Sequence, residues 1–454
     1  TQHWARSNHG KGSVFRLPVI SKLVLLALIK YASRDPSGMG IQMEAGKPGW
    51  YDALNGLPAL FGSSMPETFE LLRLVNFLID VFRETDRETI LPVEAQKIME
   101  AIDSSSKMDL RPFDDWDDMT SALEDYRASV SSGFDGETFS SNLTKLLREM
   151  RQNLEEGIGR AQAFADKIPP TYFIHEVTDF DLMQTRDSHG NPHIHVKGCK
   201  PEVLPLFLEG PVRFLKIANQ QQAHNLAKAV KQSDLFDQKL GMYKVNTSLL
   251  GQSHEIGRAR AFTPGWLENE SIWMHMAFKY LLELLSNGLY DEFFTALMDH
   301  LPAFMDHRTY GRSPLENASF IVSSAHPDSD LHGNSFVARL SGSTAEFLSM
   351  WCLITAGKRP FQLVDGQLAL QFKPTLPGWL FTENGTFTFR FLGACEVVLI
   401  NPLRKDTYRE GVQIKEIKLH HNNKTITIEG DLIGSPYAED IRRGEYEKIE
   451  CFYG

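Results

Sequence analysis

Leu23-Val24-Leu25-Leu26-Ala27-Leu28-Ile29, then Gly49-Trp50-Tyr51-Asp52-Ala53-Leu54-Asn55, then Leu71-Leu72-Arg73-Leu74-Val75 is the succession that decides how the fold is read. The first run lies in an apolar helix over 17–33, opened by Pro18 near its first turn. It is too short to span a bilayer, so it reads as a buried helix and no membrane is expected as a partner. The second sits in a Gly/Pro-rich loop from Pro36 to Gly62. The third belongs to a helix over 65–83, with Pro66 and Glu67 early and Leu71, Leu74, Val75 and Leu78 on one face. A long loop carrying an acid and aromatic rings between two apolar helices suits the rim of a helical barrel.

Working outward, residues 90–168 are polar and helical, and 170–200 alternate around Ser188-His189-Gly190-Asn191-Pro192 as a β-hairpin does. Together they read as an insertion at about 90–200. Helical periodicity returns over 201–233 and 271–305, and a helix is expected from Thr344 to Ala356. Beyond Gly357 the pattern changes to short alternating runs at 367–372, 386–392, 396–400, 414–420 and 425–430, with turns such as Glu383-Asn384-Gly385 and His421-Asn422-Asn423 between them. The expectation is a mainly α domain over 1–360 and an antiparallel β-sandwich over 361–454.

The chain has 454 residues, 42% of them hydrophobic, and a net charge of −11 from 47 basic and 58 acidic residues. That is enough chain for about two or three domains with a large core. The acidic balance, with no basic stripe, disfavours nucleic acid. Cys199, Cys352, Cys395 and Cys451 are widely spaced and form no CxxC pair. They read as free thiols of a reducing, cytoplasmic compartment.

Three segments carry chemistry. Asp52 stands beside Trp50 and Tyr51; aromatic faces bind the C–H faces of sugars, and a carboxyl desolvated against an indole has its pKa raised and can act as a general acid. The bland alternative is that Asp52 caps the turn into Ala53-Leu54. Pro264-Gly265-Trp266-Leu267-Glu268-Asn269 leads through Glu270 and Ser271 into an apolar helix bearing His275. Acids and an Asn at a helix start are ordinary capping, yet backbone N–H groups and a histidine there also suit an anion. Ser341-Gly342-Ser343-Thr344 precedes the next helix, and its hydroxyls and amides suit phosphate. Neither it nor Asn8-His9-Gly10-Lys11-Gly12-Ser13 has the Gly-Lys-Ser/Thr of a Walker loop. His189, His193 and His195, like His326, Asp328, Asp330 and His332, lie in turn-rich segments and read as solvated polar groups, so no metal is expected.

These residues resemble a known group. Pro264-Gly265-Trp266-Leu267-Glu268-Asn269 with His275 is similar to the Pro-Gly-x-x-Glu-Asn…His motif of the inverting β-glycoside phosphorylases, the cellobiose and chitobiose phosphorylases and their β-1,3-oligoglucan relatives. Trp50-Tyr51-Asp52-Ala53-Leu54-Asn55 resembles their Trp-Asn-Asp-x-x-Asn segment, and Leu340-Ser341-Gly342-Ser343-Thr344-Ala345 their Thr-Gly-Ser/Thr-Ala turn. The resemblance covers about 20–90 and 240–400. It implies an (α/α)6 barrel, partial in this chain, followed by an antiparallel β-sandwich. Asp52 would be the general acid, and Trp50, Tyr51, Glu268 and Asn269 would line the sugar sites. His275, Ser341, Gly342, Ser343 and Thr344 would hold inorganic phosphate, a co-substrate, with no other cofactor. The product would be α-glucose 1-phosphate from a β-1,3- or β-1,4-linked gluco-oligosaccharide, and the protein a homodimer.

The pattern also departs from the group. Gly49 stands where a donor-binding Asp is usual, Tyr51 replaces Asn, and the third motif has an extra residue. An N-terminal β-sandwich, the first barrel helices and a phosphate-binding Arg are missing, which implies the C-terminal portion of a longer protein. Two other functions fit the same residues: an inverting hydrolase with Glu346 or Glu268 as base, roughly 6.5–9.5 Å from the acid, and a non-catalytic carbohydrate-binding protein.

Overall fold

The computed structural model describes residues 4–47, 49–85, 88–105, 112–338, 341–422 and 424–454. The chain divides into two compact units, Thr1–Tyr280 with Asp299–Ala338, and Leu281–Met298 with Arg339–Gly454.

In the first unit the apolar run becomes the helix Val19–Ala32, which buries Val24, Ala27, Leu28 and Tyr31. Its exit loop is organised by Asp35, which is fully buried. One carboxylate oxygen accepts the backbone N–H groups of Ser37 and Met39 at 3.0 and 2.9 Å. The other accepts the Gly40 N–H and the Ser63 hydroxyl, both at 2.7 Å. Four donors offset the cost of burying a carboxylate and fix the loop to the strand Ser63–Ser64. The helix Met65–Thr85 follows and turns Phe69, Leu72, Val75 and Leu78 inward.

Ser63–Ser64 pairs on one side with Ile41–Gln42 and on the other with Tyr172–Arg186, which forms a long hairpin with Pro192–Val203. The hairpin turn is closed by Asp187, whose carboxylate accepts the backbone N–H groups of His189 and Asn191, both at 2.8 Å, with Gly190 at φ 84°. The helices Gln96–Ser105, Pro112–Val130 and Thr144–Gln162 lie between. Asp114, Asp115, Asp117 and Asp118 lie in the second of them, and Asp115 pairs with the buried Arg34 at 2.9 Å.

The barrel expected from the resemblance, and the β-sandwich expected both from it and from the alternating runs beyond Gly357, are not what the chain forms. The structure is about 40% helix and 23% strand, in several small separate sheets of which the largest has five strands. Among the described residues no closed barrel and no large sandwich is evident. In the first unit the hairpin, expected as an insertion, instead joins the two short strands bordering the Trp50 loop in a four-stranded sheet.

In the second unit the reason is the last strand. Lys448–Tyr453 enters the middle of the five-stranded sheet, parallel to Cys395–Ile400 and antiparallel to Ile414–His421. Thr386–Phe391 and Lys424–Glu429 form the edges, so the sheet is mixed. A separate three-stranded sheet of Phe361–Val364, Gln367–Gln371 and Leu432–Ile433 meets it through Phe372, 5.1 Å from the ring of Phe391. The unit also takes in the segment 281–298 and begins at 339. All four cysteines are free thiols. Among the described residues no helix is long and apolar enough to cross a membrane.

Candidate functional site

The Trp50 loop is held by its own alternation. Tyr51, Ala53, Leu54 and Leu57 are buried in one core cluster with Tyr172, Phe207, Val245, Leu249, Ile256 and Ala259. The Tyr51 ring meets Phe207 edge-on at 5.0 Å, and its hydroxyl is 3.5 Å from Asn246 Oδ1. Between these inward residues the Asp52 side chain points out and is 58% exposed. Two backbone bonds and one to the Asn55 side chain stitch the loop to a segment two hundred residues later. The Ala259 N–H donates to Ala53 O at 3.0 Å, the Gly56 N–H to Ile256 O at 3.2 Å, and the Arg258 N–H to Asn55 Oδ1 at 3.2 Å. Gly257, at φ 129°, makes this possible, since a Cβ there would lie 2.6 Å from Ala53 O.

That stitching brings Arg258 over Asp52, with Arg258 Nη2 3.0 Å from Asp52 Oδ2. Sequence reasoning passed over Arg258. The available signal was a cation directly after a glycine and just ahead of the Pro264-Gly265 turn. Lys244 and Asn246, which hold that turn, carried no signal of their own.

Glu268 is presented by a strained turn. Gly265, Leu267 and Glu270 all have positive φ, at 79°, 49° and 58°. Non-glycine residues in that region store backbone strain, which persists only where the surroundings impose it. The Gly265 N–H donates to Asn269 O at 2.8 Å across the turn, and a Cβ on Gly265 would strike the His326 backbone nitrogen at 2.6 Å. Asn269 is buried, and its amide donates to Phe262 O at 2.8 Å. The Glu270 N–H donates to Asn246 Oδ1 at 2.8 Å, while its carboxylate pairs with Lys244 at 3.1 Å in a buried ion pair. Tyr51 and Asn269, expected to contact sugar, thus sit in the wall and hold the loops in place.

The desolvated carboxyl sought at Asp52 is found at Glu268. Burial pushes the Glu268 carboxyl above the usual range, the nearby Asp52 raises it further, and Arg258 opposes both. Burial also pushes the Tyr51 phenol well up, with Glu268 and Asp52 adding to the effect. The two carboxylates therefore share one local field.

Trp50 closes the other side. Its indole N–H donates to His275 Nδ1 at 3.3 Å, and the rings stand edge-on at 5.7 Å. His275 is the second residue of the helix that begins at Met274.

The remaining expected phosphate ligands belong to the second unit. The helix begins at Ser341, so residues 341–344 form its first turn where a preceding loop was expected. Ser343 is buried there and Thr344 exposed, with Glu346 partly buried. Ser341 and Gly342 are described by their backbone alone, and Leu340 lies outside the described residues.

Compared with protein families and with curated proteins, the chain matches no family model and no curated sequence. Among the described residues no group of three or more His, Cys, Asp or Glu side chains is arranged to hold a metal ion. His332 is 2.7 Å from Lys239 Nζ, and His326 Nδ1 accepts the Asp328 N–H at 3.1 Å.

Proposed function

We propose that the protein cleaves β-linked gluco-oligosaccharides by inverting phosphorolysis, giving α-glucose 1-phosphate and a shortened sugar. The observation that carries this reading is the convergence of Asp52, Arg258 and Glu268 beside the Trp50–His275 pair. Two carboxyl groups in one field, a guanidinium and an indole are what glycosidic chemistry with an anionic nucleophile requires.

In this reading a phosphate oxygen attacks the anomeric carbon, the glycosidic C–O bond breaks, and Asp52 gives its proton to the departing oxygen. Asp52 serves as acid only once its ion pair with Arg258 opens. Arriving phosphate is the natural competitor for that guanidinium, because charge-assisted Arg–phosphate bonds are strong and bidentate. His275, at the start of the helix Met274–Ser286, is a second expected ligand for the anion. Glu268 lines the sugar site, its carboxyl partly buried in the field of Asp52.

One observation favours a second reading, inverting hydrolysis. A carboxylate whose pKa is pushed toward working pH is a better general base, and Glu268 is such a group beside Asp52. Incubation of β-1,3- and β-1,4-gluco-oligosaccharides with and without inorganic phosphate separates the two. Phosphate-dependent release of α-glucose 1-phosphate is expected. Free reducing sugar without phosphate favours hydrolysis with Glu268 as base, and no turnover under either condition overturns both.

A further inference from the structure

Trp50 has a second side. Away from Asp52 it lines a cavity of about 310 Å³ between the helices Val19–Ala32 and Met65–Thr85 and the short helix Glu209–Leu215. Leu26, Leu71 and Leu74 give this cavity an apolar wall, and Glu209 also lines it. The Glu209 carboxyl is buried, accepts the Tyr172 hydroxyl at 2.6 Å, and is pushed upward by that burial. Trp50 is the residue that the cavity shares with the site just described. His275 and Lys279 are four residues apart and so lie on the same side of their helix. His275 meets Trp50, and the Lys279 charge acts on Glu209.

We infer that this cavity is a second sugar subsite, taking a further neutral hexosyl unit of the oligosaccharide whose linkage is broken beside Asp52. The inference rests on the proposed function for its ligand class. The charge of the lining selects the ligand. Lys30 is paired with Glu67, and Arg213 with Glu70 at 2.8 Å, so the wall carries no surplus cation for a phosphate. Glu67, Glu70 and Glu209 already accept from Lys30, Arg213 and Tyr172, and each carboxylate keeps further acceptor capacity that hydroxyl groups would use and a purely apolar ligand would leave desolvated. A hexosyl ring suits both walls, with C–H faces for Trp50 and the leucines and hydroxyl donors for the carboxylates.

Calorimetric titration with β-1,3- and β-1,4-gluco-oligosaccharides of increasing length tests the inference, using the wild-type chain and Leu74→Trp. Leu74 is partly exposed at the cavity wall, so a bulkier side chain there fills the space. The wild type is expected to gain about tenfold in affinity at one step of chain lengthening, the weight of one or two net hydrogen bonds. Leu74→Trp should remove that step and leave the shortest ligand's affinity unchanged. Leu26→Trp, at a leucine 47% exposed, should do the same and serves if the first variant fails to fold. Equal weakening at every length, or an intact step in both variants, overturns the subsite while leaving the proposed function standing. Absence of binding at any length by the wild type overturns the proposed function, and the subsite with it.

Discussion

The turn at 265–270 and the five-stranded sheet of the second unit are built on opposite terms. In the sheet, Val397, Leu399, Ile417, Leu419, Ile449 and Cys451 are all completely buried. Their alternation with more exposed residues matches the period of a strand, so packing alone fixes the register. In the turn, Leu267 and Glu270 have positive φ, and the buried groups are Lys244, Asn246, Asn269 and Glu270. Trp266 rests its ring on Phe320 and Phe336, but no alternating apolar run sets the backbone shape. It is imposed by hydrogen bonds and one buried ion pair, which together hold Glu268 in the field of Asp52. Stability comes from regular apolar burial in one region, while in the other polar partners sustain an unfavourable backbone so that a carboxyl is presented.

Breaking the chemistry without touching either scaffold should give the largest effect. Asp52→Asn is expected to lower glycoside turnover about 10²–10⁴-fold, the range of one general acid. Its side chain is 58% exposed, so the thermal midpoint should stay close to that of the wild type. Steady-state assay beside thermal denaturation checks both halves, and unaltered turnover would remove Asp52 from the reaction.

A buried substitution in each region sharpens the contrast. Lys244→Ala leaves Glu270 as an uncompensated buried charge and should cost about 3–5 kcal/mol. Ile417→Ala empties a packed site in the sheet and should cost about 2–5 kcal/mol. Urea unfolding gives the two losses. Turnover per folded molecule should fall in Lys244→Ala, because the turn loses its brace, and hold in Ile417→Ala. Equal turnover in the two variants would mean that the buried pair does not position Glu268.

The smallest effect should appear in pH dependence. The folded-state pKa of Glu268 is raised above its ordinary value of 4.5. Its contribution to stability is therefore full below that value and is lost as pH rises through the folded value. Glu268→Gln cannot ionise and should escape the loss. Denaturation midpoints taken from pH 4 to pH 7 should converge at the acid end and favour the variant at the neutral end. The opposite trend would contradict the burial of Glu268.

Much of the local structure was legible. The apolar run at 23–29, the repeats at 65–83 and the alternation around Gly190 each carry their own period, and the helices Val19–Ala32 and Met65–Thr85 and the hairpin Tyr172–Val203 follow it. Their assembly was not legible. Nothing in Ile41–Gln42 or Ser63–Ser64, two residues each, announces a strand, yet these two join the hairpin into the sheet that bounds the Trp50 loop. Nor did the run Lys448–Tyr453 declare that it would enter the middle of a sheet parallel to one neighbour. Strand order is decided by which edges meet, and a single segment carries no record of that.

The site divides in the same way. By itself the sequence determined which residue types were on hand: an acid flanked by residues that alternate inward, a glycine turn bearing Glu268, and a histidine at a helix start. Local period and turn chemistry are properties of neighbours along the chain. Only the tertiary structure decided that Arg258 faces Asp52, that burial raises Glu268 while Asp52 stays largely exposed, and that Trp50 bonds to His275. Each of those depends on groups far apart in sequence, because fields and desolvation follow distance in space and take no account of position along the chain.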